Sequence, residues 1–418
     1  MVIAAWPDAQ PCAAAFREGR NEQQLVASDG AAGDGFGRSV SISGDTAVVG
    51  AYADDTPAGT DAGSAYVFVR SGTTWSEEQR LVAPDGGAED FFGISVSVVG
   101  DTAVIGVRLD DTAAGPDAGS AYVFARSGST WTLQQKLLAA DGAAGDSFGT
   151  SVSVDGDTLI VGAPVADTAG GVDAGAAYVF VRSGATWTEQ QKLLPTDPRA
   201  DEDFGFSASL SGDTVVVGAP SDDTTAGHNT GSAYVFVRSG TTWSLRQKLL
   251  ASDAAVGDDF GFAVSASGDT VAVGAFAADP GATTDGGSAY VFVRSGATWT
   301  EQQKLLAADA ASGDYFGFTV SVSGDALVAG ALLADTAAGV DAGSAYVFAR
   351  SGATWTEQRR LSAPDGAADD FFGSAVALAG DTVVAGAVGD DTLGGMNAGS
   401  AHVFRGRVPV ELQSFSVE

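Results

Sequence analysis

The 418-residue chain is poor in the residues that make cross-links and metal sites: it has one cysteine (Cys12), two histidines (His228, His402) and four lysines. A lone cysteine cannot form an internal disulfide, and so few thiols and imidazoles leave little for a His/Cys metal site. No apolar run approaches the ~20 residues of a transmembrane helix, so we expect no membrane insertion. The shortage of basic residues leaves a net charge of −32. Such a polyanion repels nucleic acid, which is excluded as a partner.

The acidic excess, 53 carboxylates against 21 basic side chains, has two interpretations. One is a halophilic surface, because self-repulsion between carboxylates is screened at high ionic strength. The other is a surface that attracts cations or basic partners. Disorder is not expected, since 45% of the residues are apolar and can bury a large core.

The dominant positive feature is an internal repeat. A Phe-Gly pair recurs every 56 residues, without insertion or deletion, at Phe36, Phe92, Phe148, Phe204, Phe260, Phe316 and Phe372. The columns that begin at Gly44, Gly50, Gly63 and Phe68 recur with the same period in all seven copies. A fixed period of this length is typical of solenoids and propellers.

Each unit predicts four short strands, by period-2 alternation and by turn residues. In the third unit we place strand A at Phe148–Asp155, strand B at Thr158–Pro164, strand C at Ala176–Arg182 and strand D at Trp187–Leu194. Two-residue Gly-containing turns join A to B and C to D, and a loop of about ten residues joins B to C. Small residues in strand A and large ones in strand D place A nearest an axis.

The chain ends distinguish an open solenoid from a closed ring. The seventh unit stops after strand C, at Ser400–Phe404, and residues 22–27 match a strand D of the repeat. Pairing the first strand with the last closes a ring and removes both edges, whereas a solenoid has no reason to split one repeat between its ends. We therefore predict an all-β, seven-bladed β-propeller of four-stranded antiparallel blades, closed by the N-terminal strand, over residues 17–407.

The remaining segments are predicted to be a poorly ordered extension, residues 1–16, and a C-terminal tail or linker to a further domain, residues 408–418. Met1–Arg20 has no basic n-region and only a short apolar run, so no intact signal peptide is visible.

The pair Phe148-Gly149, followed by Gly162-Ala163-Pro164, resembles the FG-GAP repeat of integrin α-subunit propellers. In the other units except the fourth, the proline is replaced by Tyr52, Arg108, Phe276, Leu332 or Val388. The resemblance covers about residues 17–407 and implies a non-enzymatic interaction or adhesion propeller, secreted or at the cell surface. A carbohydrate-binding, lectin-like propeller is the alternative. An enzyme would need unlike acid, base or metal groups in one place, which seven equal units do not offer.

Propellers of that family often bind Ca²⁺ through an Asp-x-Asp-x-Asp-Gly loop between strands A and B. Here that turn is only Gly-Asp in every unit, and two residues cannot supply the six to eight oxygens that Ca²⁺ requires. We expect no required cofactor, and Ca²⁺ binding of ~millimolar affinity at most, in the B–C loops. The candidate ligands are Asp55, Asp61, Asp111, Asp117, Asp167, Asp173, Asp223, Asp335 and Asp341. The competing interpretation is an Asx turn, in which the carboxylate accepts a backbone N–H.

Breaks in the repeat mark a second candidate site. In a four-stranded blade the D–A and B–C loops emerge on one face, here an acidic one. The fourth unit departs most from the pattern on that face, and its residues Arg199, Asp201, Asp203, His228 and Asn229 form the predicted ligand patch for a protein or glycan partner. Neutral drift in surface loops is the alternative. The six tryptophans from Trp75 to Trp355 are expected to pack rather than to bind sugar, His402 to replace a packed tyrosine, and the protein to be a monomer.

Overall fold

Seven four-stranded antiparallel sheets make up the part of the chain described by the computed structural model, residues 22–406. Each sheet is one blade, and its strands are hydrogen-bonded in the order A, B, C, D, with A nearest the axis and D at the rim. The seven-bladed propeller predicted from the repeat is confirmed. The predicted extensions 1–16 and 408–418 lie outside the described residues.

Blades one to six each use four consecutive strands. Blade one has β2 Phe36–Ser43, β3 Thr46–Ala51, β4 Ser64–Ser71 and β5 Thr74–Leu81; blade two has β6 Phe92–Val99, β7 Thr102–Val107, β8 Ser120–Ser127 and β9 Thr130–Leu137. Blade three has β10 Ser151–Asp155, β11 Thr158–Ala163, β12 Ala176–Ser183 and β13 Thr186–Leu193; blade four has β14 Ser207–Ser211, β15 Thr214–Ala219, β16 Ser232–Ser239 and β17 Thr242–Leu249. Blade five has β18 Ala263–Ser267, β19 Thr270–Ala275, β20 Ser288–Ser295 and β21 Thr298–Leu305; blade six has β22 Phe316–Ser323, β23 Ala326–Ala331, β24 Ser344–Ser351 and β25 Thr354–Leu361.

Blade seven joins the two ends of the chain. It consists of β26 Phe372–Ala379, β27 Thr382–Ala387, β28 Ser400–Arg405 and, as its outer strand, β1 Glu22–Leu25. Glu22 pairs with Phe404 and Leu25 with Ala401, so the predicted closure is present. In the other six blades the C–D pairing contains a register shift, whereas the four paired residues of β1 show none.

The hydrophobic core is divided into seven clusters, each lying between adjacent blades. Strand B is buried at every residue in all seven blades, because a neighbouring blade covers each of its faces. The phenylalanine of each Phe-Gly pair fills the centre of a cluster. Phe36, for example, lies edge-on to Tyr66 and Phe68, with ring centroids 5.5 and 6.0 Å apart.

The observed start of strand A differs from the prediction in the third unit. The strand begins at Ser151 rather than Phe148. Gly149 adopts a positive φ of 100°, and the N–H of Thr150 donates to the carbonyl of Ser147. Blade one has the same turn, but there Phe36 also pairs with Ala51, whereas the ladder of blade three starts with the pair Ser151 and Gly162. Blades four and five start their strand A in the same way, at Ser207 and Ala263.

Identical glutamine clamps connect neighbouring blades at the rim. In each clamp the glutamine of one strand D accepts a bond from the backbone N–H, and donates one to the carbonyl, of the tryptophan in the next strand D, at 2.7–2.9 Å. The pairs are Gln23–Trp75, Gln79–Trp131, Gln135–Trp187, Gln191–Trp243, Gln247–Trp299 and Gln303–Trp355. These clamps fix the spacing between blades and therefore also the spacing between the loops on each face of the ring.

Candidate functional site

The D–A and B–C loops meet on one face of the ring, which we call the long-loop face. The backbone N–H of Glu89, in the D–A loop before blade two, donates to the carbonyl of Thr60 in the B–C loop of blade one, at 2.8 Å. The short A–B and C–D turns form the opposite, short-turn face. There Asp45 accepts a 2.6 Å bond from Nε of Arg70, and four further blades repeat this pair.

The paired aspartates of the B–C loops close each loop through a side-chain-to-backbone bond that spans six residues, and not the two residues of the Asx turn considered from the sequence. Oδ1 of Asp55 accepts the backbone N–H of Asp61 at 3.0 Å, and all seven blades have an equivalent bond of 2.8–3.0 Å. The second member of each pair is Asp or Asn with φ of 48–53°, a left-handed conformation that these two residues tolerate best. Turn geometry thus accounts for both columns in every blade.

The predicted metal ligands take part in these loop-closing hydrogen bonds. One oxygen of the first aspartate in each pair, such as Asp111, Asp167 or Asp335, is engaged by the backbone. Within residues 22–406 no group of three or more His, Cys, Asp or Glu side chains is placed to hold a metal ion. Weak Ca²⁺ binding at these loops therefore stays a prediction.

Four of the five residues of the predicted ligand patch come together in blade four. Arg199, Asp201, His228 and Asn229 line one cleft, together with Glu202, Ser221 and Asp223. Asp223 organises it: its carboxylate binds Nδ1 of His228 at 2.7 Å and the N–H of Asn229 at 2.9 Å, while Nη1 of Arg199 donates to its carbonyl at 3.3 Å. The bonds from Asn229 and His228 lower the pKa of Asp223.

Asp203, the fifth residue, lies apart from this cleft. It accepts a 2.6 Å bond from the hydroxyl of Ser221 and is half-buried beside the axis. Burial, and then the charge of Asp201, raise its pKa. The sequence pattern alone did not separate it from its neighbours, because adjacent loop residues point to different sides of the long-loop face.

Glu202 was not singled out from the sequence, although it is the most perturbed carboxyl of this region. It is 2% exposed and occupies a column that is Asp in the other six units. Oε2 accepts the N–H of Arg199 at 3.0 Å, and Oε1 has no hydrogen-bond partner. Burial, with a smaller contribution from the nearby Asp222, raises its pKa to about 7.

A cavity of about 270 Å³ lies on the axis of the ring. Three successive residues of each blade, within strand A or starting directly before it, line the cavity, the first being Arg38, Ile94, Thr150, Phe206, Phe262, Phe318 and Ser374. Arg108 also reaches it from the end of β7. The first of these columns varies more than any other that faces the axis, and this variation is the signal by which sequence reasoning could have found the cavity.

The residues before each Phe-Gly pair form a ring at the long-loop end of the axis. All seven have positive φ, including the bulky Phe91, Tyr315 and Phe371 at 57–61°. Left-handed backbone at aromatic residues is strained and is retained where surrounding structure imposes it. Two members of this ring are Asp203 and Asp259, and burial raises the pKa of Asp259 to about 6.

The FG-GAP repeat family model matches the chain seven times, at residues 20–68, 75–124, 131–180, 187–236, 243–292, 299–348 and 355–404. These matches span most of the sequence. The chain belongs to the FG-GAP repeat family.

The structure shows why the two halves of an FG-GAP repeat go together. A Cβ placed on Gly50, from the Gly-Ala-Pro position of blade one, would collide with the carbonyl oxygen of Gly93, from the Phe-Gly pair of blade two. The hydroxyl of Ser39 in blade one donates to the same carbonyl at 2.7 Å. The two motif halves therefore meet across the junction between successive blades.

No curated protein matches the FG-GAP chain significantly. Among solved structures, the crystal structure of Saccharomyces cerevisiae Sqt1 matches with 11% identity and a TM-score of 0.48, over 91% of this chain and 97% of that chain. Within residues 22–406 no helix is long and apolar enough to cross a membrane.

The aromatic columns of the FG-GAP blades are structural. The six tryptophans of strand D are 2–3% exposed and each lies against an arginine, as Trp187 does against Arg182 at 5.2 Å. This supports packing rather than a sugar platform. His402 is fully buried in the tyrosine column, between the hydroxyl of Ser400 at 3.1 Å and Oε1 of Glu22 at 2.8 Å.

Proposed function

We propose that this FG-GAP propeller is a non-enzymatic binding module of a secreted or cell-surface protein, and that it recognises a protein partner through its long-loop face. One observation carries the proposal: the loops of this face contain most of the 53 acidic residues, and in each blade a carboxylate-to-backbone bond closes the B–C loop. A preorganised face loses little conformational entropy when a partner binds.

The family membership supports the non-enzymatic part of the proposal. FG-GAP propellers are typically non-catalytic and occur generally in extracellular or cell-surface proteins. Blade after blade also presents the same carboxylates in the same geometry, whereas acid–base catalysis needs unlike groups with separated pKa values.

Charge complementarity defines the partner as a basic protein surface or segment. Most basic residues near this face are already paired; Arg80 binds Asp29 at 2.6 Å, and Lys136 binds Asp85 at 2.8 Å. The face therefore keeps a net negative field, which steers a basic partner and weakens with salt. Arg199 and His228 make the loops of blade four different from those of the other six blades. We therefore propose that the contact that orients the partner on the face lies in the blade-four cleft.

Matched charge variants of the full chain test this proposal. Asp201→Asn with Asp223→Asn removes two charges from the cleft, and Asp45→Asn with Asp157→Asn removes two from the short-turn face. The probe is an array of basic, neutral and acidic peptides read by biolayer interferometry. We expect binding to basic peptides that falls about 10-fold in the cleft variant and is unchanged in the control.

Equal losses in both variants would show that net charge alone drives binding and would overturn the role of the face. The carbohydrate-binding alternative is tested in parallel on a glycan array. Selective glycan binding without peptide binding would replace the proposed function with that of a lectin.

A further inference from the structure

The axial cavity has two chemically different walls. On the side of blades one and two it is lined by Arg38 and Arg108, and on the side of blades four to six by Phe206, Phe262 and Phe318. In a seven-bladed ring these two groups face each other across the axis. The cavity is therefore basic on one wall and aromatic on the other.

Arg38 and Arg108 have no carboxylate partner within residues 22–406, although the protein carries a charge of −32. Nε of Arg108 is buried without a hydrogen-bond acceptor, and the guanidinium lies 5.7 Å from the ring of Phe91. Burial, together with the charge of Arg108, lowers the pKa of Arg38. By contrast, arginines of the repeated columns, such as Arg182 and Arg350, pair with aspartate.

Leaving two neighbouring guanidinium groups unpaired is unfavourable unless something else satisfies them. A buried polar atom without a partner loses the hydrogen bonds that it makes in water, and like charges repel. An acidic chain has carboxylates in abundance, yet none lies against this pair. The arrangement fits an acceptor that arrives from outside.

The aromatic wall is a continuous surface. The rings of Phe206 and Phe318 lie 4.7 and 4.9 Å from that of Phe262, and Phe276 packs edge-on to Phe262 at 4.5 Å. Arg38 and the three wall phenylalanines occupy one column of the repeat and are half-buried, so they line the cavity rather than fill a core cluster. A flat apolar group is the natural complement of this wall.

We propose that the axial cavity binds a small organic anion with an aromatic body, whose carboxylate is held by Arg38 and Arg108 and whose ring packs on Phe206, Phe262 and Phe318. Arginine suits this role because its planar donors match the two oxygens of a carboxylate. A cavity of about 270 Å³ falls just below the usual range for drug-sized ligands, so it suits a phenyl-substituted short-chain acid. This site is independent of the protein-binding face proposed above.

The experiment measures binding of 3-phenylpropionate to the full chain by calorimetry and ligand-observed NMR. Its neutral amide, phenethylamine and inorganic phosphate serve as comparison probes. We expect one saturable site per chain. The amide and phosphate should each bind at least about 10-fold more weakly, because each lacks one half of the recognition.

The repeat itself supplies conservative variants. Arg38→Thr and Arg108→Leu introduce the residues that blades three and six carry at the same positions, Thr150 and Leu332, and Phe262→Ile introduces that of blade two, Ile94. We expect each arginine variant to weaken binding about 10-fold or more and the phenylalanine variant about 5-fold. The matched control Arg294→Gln, on the short-turn face, should leave affinity unchanged.

Several results would overturn the proposal: no saturable binding of 3-phenylpropionate, equal binding of the amide, tighter binding of phenethylamine, or full affinity in both arginine variants. If an arginine variant fails to fold, nuclear Overhauser contacts between the bound ligand ring and phenylalanine protons of the unaltered protein decide instead. Their absence in the saturated complex would contradict the site.

Discussion

The rim and the axis of the ring follow opposite rules. At the rim, six glutamine–tryptophan clamps repeat within 0.2 Å, and each of six blades joins a tyrosine hydroxyl and a Lys or Arg to the same loop aspartate. At the axis, one column alone runs through Arg, Ile, Thr, Phe, Phe, Phe and Ser. The rim clamps set the distance between neighbouring blades and repeat at six of the seven junctions; at the junction of blades six and seven the glutamine column holds Arg359. The axial side chains of all seven blades line one common cavity, so they do not have to be identical and can differ from blade to blade.

Cutting the rim should have the largest effect. Deleting residues 1–28 removes β1, leaves the edge of β28 unpaired and opens the ring between blades seven and one. We expect loss of a single cooperative thermal transition, or a fall in Tm of more than about 10 °C, measured by calorimetry. Deleting residues 1–16 is the control and should leave Tm unchanged. An unaltered Tm after the longer deletion would refute closure as a source of stability.

A pair of single substitutions compares rim and axis directly. Trp187→Ala removes a side chain that is 2% exposed and should cost about 3–5 kcal/mol of unfolding free energy. Phe206→Thr introduces the residue of blade three at the axis and should cost about 1–2 kcal/mol, because that ring is only half-buried. Denaturant titration measures both. Equal costs would remove the distinction between rim and axis.

A pH titration addresses the buried carboxyl of blade four. The folded-state pKa of Glu202 is raised to about 7 from its ordinary 4.5, so the folded state holds a proton that the unfolded state releases. The stabilisation that protonated Glu202 gives the folded state is fully present below pH 4.5 and is lost as pH rises to about 7. Over this range we expect the free energy of unfolding to fall by ~2 kcal/mol. Glu202→Gln should reduce this slope. Asp34, raised to about 6 by burial, acts in the same direction and leaves a residual slope in the variant. An unchanged slope would contradict the protonated state.

Salt tests the charge that both regions share. With −32 net charge, raising NaCl from about 0.05 to about 2 M should raise Tm by several degrees, because screening relieves repulsion between loop carboxylates. The rim ion pairs weaken at the same time, but exposed pairs contribute little. A Tm that stays constant or falls over this range of NaCl concentration would contradict the interpretation of a saline-adapted surface.

Calcium should have the smallest effect. We expect several near-equivalent sites of ~millimolar affinity in the B–C loops, since no A–B turn offers a full ligand set. Asp61→Asn and Asp117→Asn should weaken this binding slightly while keeping the left-handed turn. Calorimetry that finds one or two micromolar sites, or ligation by residues such as Asp45, would contradict the prediction.

The sequence was sufficient to predict the fold because the repeated columns are the residues that every blade needs in order to pack against its neighbours. Columns such as Gly50 and Phe68 recur since each blade junction imposes the same steric demand, and the split seventh unit revealed the closure. The site was harder to predict for the same reason. Arg108 and the patch around His228 were noticed as departures from the repeat, but Arg38 and Phe262 were not, because only the ring places them on opposite walls of one cavity. Glu202 was missed because its whole column is buried in the folded ring, at 2–6% exposure in all seven blades, and a run of loop acids does not reveal that burial.

Each family unit begins in the outer strand of one blade and ends in strand C of the next, as residues 75–124 do. Inserting or excising one whole unit therefore leaves every outer strand with a blade to complete, including at the chain ends. Copy number can change by unequal recombination without creating an unpaired edge. What limits it is the axis, where a different number of innermost strands would leave a gap or a clash.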